Sequence, residues 1–535
     1  MKNKIFLVVV LFIAYAPFLN LRVLRMAGDE KVYVSQSVEM LREGRWFVQT
    51  IADEPNYFKG PLHYWFVNLG QIIFGNQLLA GTWMNFLFAL ALSFSLFIFS
   101  KKIWDEKDAL LLSVAAGLNV GMFSHALASQ MEVELCAFYT FAFIGLLGSS
   151  LHASGSIKKP EFKQDSIFWI IVGITGWIKS PVYSVLLGIS GIFYWALIHQ
   201  LRERVLSLKC WLACGLGIFV CILGYCPILI SDFKNFFETY LLRENIGKPN
   251  NNRAWHYVVL PLLHFSFPWT LILLFSLTKI FKKWPPYLKC ALAIALPTII
   301  FWSAWKYKGQ NYNLPALPAL LFLTWGLLNG KIPPLLFKIT AVLSFIFLIC
   351  TTFVVLHFRP LPHWWHSGWL LLAFLSMCIF IGIFFFSKNI YHLASGAALF
   401  FISFGAFIAP LGEREMLDIR TFIKQNPDHT YYYYNLNPSI WSEWGLLQLT
   451  LHRPIYGVHK KEKLNQIFYP GNVLLIYDAD AGNFFEDYPE KKPQAYPWKR
   501  WLTKGKSLDG KSRWREAWDK KDLTTLERDF YIIKF

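Results

Sequence analysis

The sequence predicts a mainly α-helical, polytopic membrane protein. About thirteen transmembrane helices are expected, with amphipathic interfacial helices in the first outer loop and a small C-terminal α/β domain. Three observations carry this reading. Of 535 residues, 55% are hydrophobic and 16% charged, a balance outside the usual soluble range. Apolar runs of about twenty residues recur as far as residue 409, the length a helix needs to cross a hydrocarbon core of roughly 30 Å. Lys and Arg collect in alternate short loops, as cytoplasmic loops do.

The elements follow in order. Residues 1–19 begin with lysines and continue as an apolar run, and no small-residue cleavage site follows, so they read as a first span entering from the cytoplasm. Residues 61–74 are apolar but short and amphipathic, which suits a helix lying in the outer interface. Later spans are expected near 79–99, 109–127, 133–151, 166–178, 181–199, 211–230, 257–278, 289–304, 313–329, 335–356, 368–387 and 391–409. The loops holding Lys101 and Lys102, Lys158 and Lys159, Arg202 and Arg204, Lys282 and Lys283, Lys331, and Lys388 should then be cytoplasmic. The loops of Asp29, Glu132, Lys179, Arg243 and Lys308 fall on the other side. The division is therefore 1–409, transmembrane, and 410–535, a soluble unit on the outer side. In that unit Thr430 to Tyr434 and Val473 to Tyr477 read as strands, Glu413 to Lys424 as helical, and Asp529 to Phe535 as an edge strand.

Charge and motifs exclude several classes. The net charge of +18 sits largely in loops between spans, so orientation and anionic headgroups explain it, and no nucleic-acid partner is indicated. No nucleotide-binding glycine motif and no HExxH occur, so no cofactor and no metal are expected. The eight cysteines lie in or beside apolar runs with no metal spacing and no obvious disulfide framework, as small buried hydrophobes would.

The long loop from Gly28 to Tyr64 organises the rest. Asp29 and Glu30 open it. A carboxylate there can accept a hydroxyl proton; equally, Asp29 can N-cap the helix that follows and Glu30 can suit its first turn. Val34, Val38 and Leu41 make the apolar stripe of that helix, and Gly44 ends it. Lys59, after Tyr57 and Phe58, is either a phosphate contact or a snorkelling interfacial lysine. Glu132 and Glu134 stand at the start of a span, where a carboxylate is costly unless used or paired; Glu132 is the better candidate, because Glu134 lies deeper in the apolar run. Lys179, Lys308, Arg243 and Lys248 run against the positive-inside bias. Together they suit a phosphate or pyrophosphate at the membrane surface.

The order of these motifs resembles the lipid-donor glycosyltransferases of the membrane C-type superfamily. It comprises an acidic pair after the first span, YFKGPLHYW, a second-loop acid, IKSP, LLRENIG, FPW and KGQNYNLPALPAL. The resemblance covers nearly the whole chain and is to the bacterial aminoarabinose (lipid A) transferases in particular, with protein O-mannosyltransferases as relatives. It implies an inverting enzyme of the bacterial inner membrane, with site and C-terminal domain periplasmic. A sugar would pass from a polyprenyl-phosphate donor to a lipid A or protein acceptor. Asp29 matches the first-loop catalytic acid, and Glu132 a second-loop acid. Lys179 matches a lysine of the family's TKG-like motif that faces the lipid phosphate, Arg243 and Lys248 lie in a segment similar to its RENI-like stretch, and Lys308 matches the lysine of its KLPxY-like stretch; Glu30, Tyr57, Lys59, Arg243, Lys248, Lys308 and Tyr312 are expected to contact substrate. A transporter of lipid-linked sugar is a further possibility, one that repeat halves and broken central spans would indicate. Two departures stand out: YFKGP where the aminoarabinose transferases read YFEKP, and Asn245 where they tend to carry histidine.

Overall fold

The computed structural model describes residues 2–21, 30–51, 54–57, 59–152, 158–247, 251, 253–280, 284–357, 368–386, 390–414, 417–434, 444–476, 478–501, 513–520 and 527–535. Asp29 and Lys248 lie outside the described residues. The described residues are mainly helical, with one two-stranded and one five-stranded sheet among them.

The first helix, α1 (Lys2–Tyr15), buries Leu7, Val10, Leu11 and Ala14 along one face and leaves Ile5, Val8, Val9, Phe12 and Ile13 exposed on the other. An apolar outer face beside an apolar inner one is what a lipid-facing helix shows, because hydrocarbon and protein core are equally dry. The first outer loop then forms α2 (Glu30–Arg42), the hairpin β1 (Thr50–Ile51) and β2 (Glu54–Pro55), and the amphipathic α3 (Leu62–Phe74). Glycines with positive φ, Gly44 and Gly75, follow α2 and α3, where a side chain would be strained.

Among the described residues, five helices are long and apolar enough to cross a membrane: α4 (Leu79–Ser100), α7 (Glu132–Ser150), Pro286–Ala304, Pro334–His357 and Ile390–Arg414. Four shorter apolar helices accompany them among the described residues. Two expected spans are broken. The 109–127 run is α5 (Glu106–Gly117) and α6 (Val120–Ala126), bent by 52°. The 257–278 run bends by 116° between His256–Phe265 and the helix starting at Thr270.

The causes of the breaks are local. Asn119 caps α6 by accepting from the Met122 amide at 2.9 Å. Pro268 supplies no amide donor to continue the other helix. The breaks meet: the Val120 amide donates to the Phe267 carbonyl at 2.9 Å, and the Trp269 indole to the Leu118 carbonyl at 2.7 Å. Backbone groups released by each break are satisfied inside protein, as a dry surrounding requires.

After residue 417 the chain builds a sheet in the order β4-β3-β5-β7-β6, from β3 (Thr430–Tyr434), β4 (Ile455–Val458), β5 (Asn472–Ile476), β6 (Ala495–Trp501) and β7 (Glu527–Lys534). β3 runs parallel to β4 and β5, and β7 antiparallel to β5 and β6. The C-terminal strand is thus paired on both sides and is no edge. Half-buried alternation looks the same in either place; the edges are β4 and β6.

The sheet does not stand apart. Val34 and Val38 of α2 share a core with Leu447 and Leu449 of the Trp444–Leu451 helix and with Tyr431, Val473 and Ile532 of the sheet. The contact is close. The Gly445 amide donates to Ser35 Oγ at 3.1 Å, and a Cβ on Gly445 would lie 2.5 Å from Ser35 Cα.

The cysteines are all unbridged. Cys136, Cys210 and Cys290 are buried, but Cys350 and Cys378 are exposed. Those two correct the expectation of burial: they sit on helices whose outer faces are apolar, and sequence does not say which face a cysteine takes.

Candidate active site

Backbone packing brings the loop after α1 against the turn before α8 (Pro181–Leu197). The Leu62 amide donates to the Trp177 carbonyl at 2.9 Å. Gly60 makes this approach possible, since a Cβ there would lie 2.2 Å from that same carbonyl oxygen. Ser180 caps α8, accepting from the Val182 amide at 3.2 Å, with Pro181 in the first turn. Lys59 and Lys179 are thereby held at fixed ends on two facing turns, and both are 8% exposed.

They line one open cleft, with Glu244, Trp302, Tyr307 and Tyr312 on its walls. Lys179 Nζ lies 2.5 Å from Glu132 Oε1 and 5.2 Å from the centre of the Tyr312 ring. Asn311 Nδ2 donates to the same Glu132 oxygen. Lys59 Nζ lies 3.4 Å from Glu244 Oε2. The cleft therefore holds two ion pairs, where sequence led us to expect a cationic rim. Buried lysines need such partners, because an uncompensated charge out of water is costly.

The other expected residues divide. Lys308 is buried behind the cleft and donates to the Trp305 carbonyl at 2.6 Å. Its own carbonyl accepts from Asn251 at 2.9 Å and Arg253 at 3.1 Å. Tyr57 is buried away from the cleft, its hydroxyl donating to Asp232 Oδ2 at 2.8 Å; burial, and then the neighbouring carboxylate, push the phenol well above its ordinary pKa. Arg243 is exposed on a π-helix, Phe237–Ile246, and is not among the described side chains lining the cleft. Glu30 is buried and accepts from the Ser129 amide at 2.7 Å through Oε1. It ties the start of α2, and so the position after Asp29, to the second outer loop.

Sequence reasoning missed Glu244, Asn311 and His63. Glu244 and Asn311 lie inside motifs already singled out, LLRENIG and KGQNYN, and their acid and amide were the available signal. His63 had none. It is 1% exposed, and Nδ1 lies 2.6 Å from Glu134 Oε1. Nε2 faces Ser129 Oγ at 3.3 Å. Glu134, ranked below Glu132 from sequence, thus joins His63, Ser129 and Glu30 in one buried polar chain linking α7, α3 and α2. The two networks can hold an anion at the lysines and carboxylates beside it.

No protein-family model matches the chain. Curated relatives do. The undecaprenyl phosphate-alpha-4-amino-4-deoxy-L-arabinose arabinosyl transferase of Wigglesworthia glossinidia brevipalpis is 25% identical over 326 residues, which covers 59% of this chain and 56% of that protein. The protein of the same name from Shewanella sediminis is 23% identical over 349 residues, covering 62% and 61%. The chain spans just over half the length of these relatives. Among solved structures, ArnT from Cupriavidus metallidurans bound to undecaprenyl phosphate shares the fold, with a TM-score of 0.68 at 16% identity over 92% of this chain and 95% of that one.

Proposed function

We propose that the chain is a membrane glycosyltransferase that moves a sugar from a polyprenyl-phosphate donor to a cell-envelope lipid such as lipid A. It works on the periplasmic face of the bacterial inner membrane, with about thirteen crossings and a periplasmic domain at 410–535. The observation that carries this is the cleft in which Lys59 meets Glu244 and Lys179 meets Glu132. Each lysine is already oriented by a carboxylate, and a donor phosphate offers a better partner with more acceptor oxygens. The names of the relatives, and the undecaprenyl phosphate bound to ArnT, support a lipid-linked donor.

In the reaction the bond from the anomeric carbon to the phosphate oxygen breaks, and the phosphate leaves with the electron pair. Lys59 and Lys179 offset the charge that grows on it. The acceptor oxygen attacks from the opposite face, giving inversion. If that oxygen belongs to a hydroxyl, Asp29 takes its proton. If it belongs to a phosphate it is already anionic, and Asp29 steadies the positive charge developing on the sugar ring. Glu132 keeps Lys179 placed and Tyr312 walls the cleft, while Tyr57, bonded to Asp232, and Glu30, bonded to the Ser129 amide, act at a distance by holding the elements around it. The aminoarabinose named for the relatives carries an amine. Glu244, beside Lys59, supplies a carboxylate where YFKGP lacks the glutamate of YFEKP.

A sugar-transfer assay on membranes containing the Asp29→Asn chain tests the reading. At least a hundredfold loss is expected, on the order of general acid–base contributions, and near-normal turnover would end the proposal. Mass spectrometry of lipid A and of surface proteins, with and without the chain, separates lipid transfer from protein transfer and from transport.

A further inference from the structure

A closed circuit of contacts runs beside the cleft. Lys179 Nζ lies 2.5 Å from Glu132 Oε1. Glu132 and Glu134 share the first turn of α7. Glu134 Oε1 lies 2.6 Å from His63 Nδ1. His63 follows Leu62, whose amide donates to the Trp177 carbonyl at 2.9 Å. Trp177 precedes Lys179 in the same turn, which closes the circuit. We infer that His63 and Glu134 are positioning residues: their contact is a strut that holds α7, and with it Glu132, at a fixed place against the segment that carries Lys59. For its bearing on the donor the inference rests on the proposed phosphate site. It goes further in giving a role to two residues that are not among the described side chains lining the cleft.

The first support is the cost of the pair. His63 and Glu134 are each 1% exposed. Glu134 Oε2 is buried with no hydrogen-bond partner among the described residues. Two apolar side chains would fill such a place at less cost. What the polar pair adds is direction, since a hydrogen bond fixes distance and angle together. The second support is that the ring is held from both sides. His63 Nε2 faces Ser129 Oγ at 3.3 Å. The loop carrying Ser129 is tied to α4, because Asn85 Nδ2 donates to the Ala128 carbonyl at 2.7 Å and the Gln130 carbonyl at 2.8 Å. The third is position. The Lys59 carbonyl accepts from Gln49 Nε2 at 2.9 Å, and His63 stands one helical turn further on, so the Lys59 segment is pinned at both ends.

The strut matters most when the other link opens. A donor phosphate that takes Lys179 displaces Glu132, and α7 loses that tie to the turn before α8. The phosphate does not compete for the His63–Glu134 contact, which is buried outside the cleft. The spacing of Lys59 and Lys179 therefore survives the exchange of partners.

The test opens each link alone and then both, in the full-length chain held in phospholipid nanodiscs. Lys179→Met/Glu132→Leu opens one link, His63→Leu/Glu134→Leu opens the other, and the fourfold variant opens both. Melting curves check that each is folded. Amide exchange over residues 131–137 is read first, and it needs neither ligand nor turnover. Contacts that share an element are coupled, so the fourfold variant should exchange at least about tenfold faster than the product of the two separate effects. Exchange equal to that product would overturn the strut. Titration with undecaprenyl phosphate is the second measurement, and it needs only the His63→Leu/Glu134→Leu variant. Two lysines that must be ordered on binding should raise Kd about tenfold. A merely destabilised protein loses binding capacity and keeps its Kd. Glu134→Gln keeps an oxygen for His63 and should keep the parental Kd. An unchanged Kd in the double variant, or a raised one in Glu134→Gln, would overturn the inference. A parent chain that binds no undecaprenyl phosphate would defeat the donor reading alone, and the exchange measurement would still decide the strut.

Discussion

Replacing Lys179 with methionine should damage both stability and turnover, and a paired change should separate the two. The side chains of Lys179 and Glu132 are 10% and 4% exposed and meet at 2.5 Å. At an effective dielectric of about 20, unit charges about 4 Å apart attract by about 4 kcal/mol. Removing one partner of a buried pair leaves the other charge uncompensated and costs about 3–5 kcal/mol. The Asn311 amide still donates to Glu132, which argues for the lower half of that range. In a chain this long each kcal/mol moves Tm by less than the roughly 2–4 °C typical of 150–250 residues. A fall of about 5 °C is therefore expected in detergent, followed by helical circular dichroism.

The double change Lys179→Met/Glu132→Leu removes both charges and should recover most of that stability. It should not recover sugar transfer, which loses about 10²–10³-fold with a cation aimed at the leaving phosphate. Two results would refute this reasoning: a Lys179→Met protein as stable as its parent, or a double variant that regains turnover.

Three further outcomes follow from other contacts. Gly60→Ala forces a methyl group against the Trp177 carbonyl at 2.2 Å and should push Lys59 out of the cleft, cutting transfer at least tenfold in the membrane assay while Tm falls by only a few degrees. His63→Leu leaves the buried Glu134 carboxyl group without its partner at 2.6 Å; about 1–3 kcal/mol should be lost, and His63→Leu/Glu134→Leu should regain most of it in the same melting experiment. Gly445→Val inserts a side chain where Ser35 Cα would be 2.5 Å away, which costs about 1–3 kcal/mol of packing. Amide exchange in α2 and in the Trp444–Leu451 helix should then accelerate together, and acceleration in one alone would show that the two are not a unit.

Much of the fold was legible because span length is dictated by bilayer thickness. The runs giving α4, α7 and Pro286–Ala304 are long, apolar and flanked by loops, and little else they could form would satisfy their backbones. The broken spans were less legible. Asn119 and Pro268 are visible breakers, yet hydropathy averages across them, and the reason the breaks survive is a long-range exchange between Val120 and Phe267 and between Trp269 and Leu118. The same limit hid the docking of the sheet onto α2. Val34 and Val38 announced an apolar stripe, but nothing local named the Trp444–Leu451 helix as what covers it.

The site was legible as a list of costly residues and illegible as pairs. Lys179 and Glu132 each drew notice because charge beside hydrocarbon needs a reason. Forty-seven positions separate them, and pattern alone could not show that each is the other's reason. Lys59 and Glu244 repeat the case over 185 positions. Pairing also changes what the lysines imply. Two unmatched cations would argue for a site that waits for an anion at the cost of its own stability. Two matched ones argue for a site that is stable when empty and exchanges one set of oxygens for another. The energy of binding then depends on the difference between carboxylate and phosphate as partners, which is smaller than either attraction alone. A smaller difference is what lets a site bind a phosphate-linked donor and still release the lipid phosphate left after transfer.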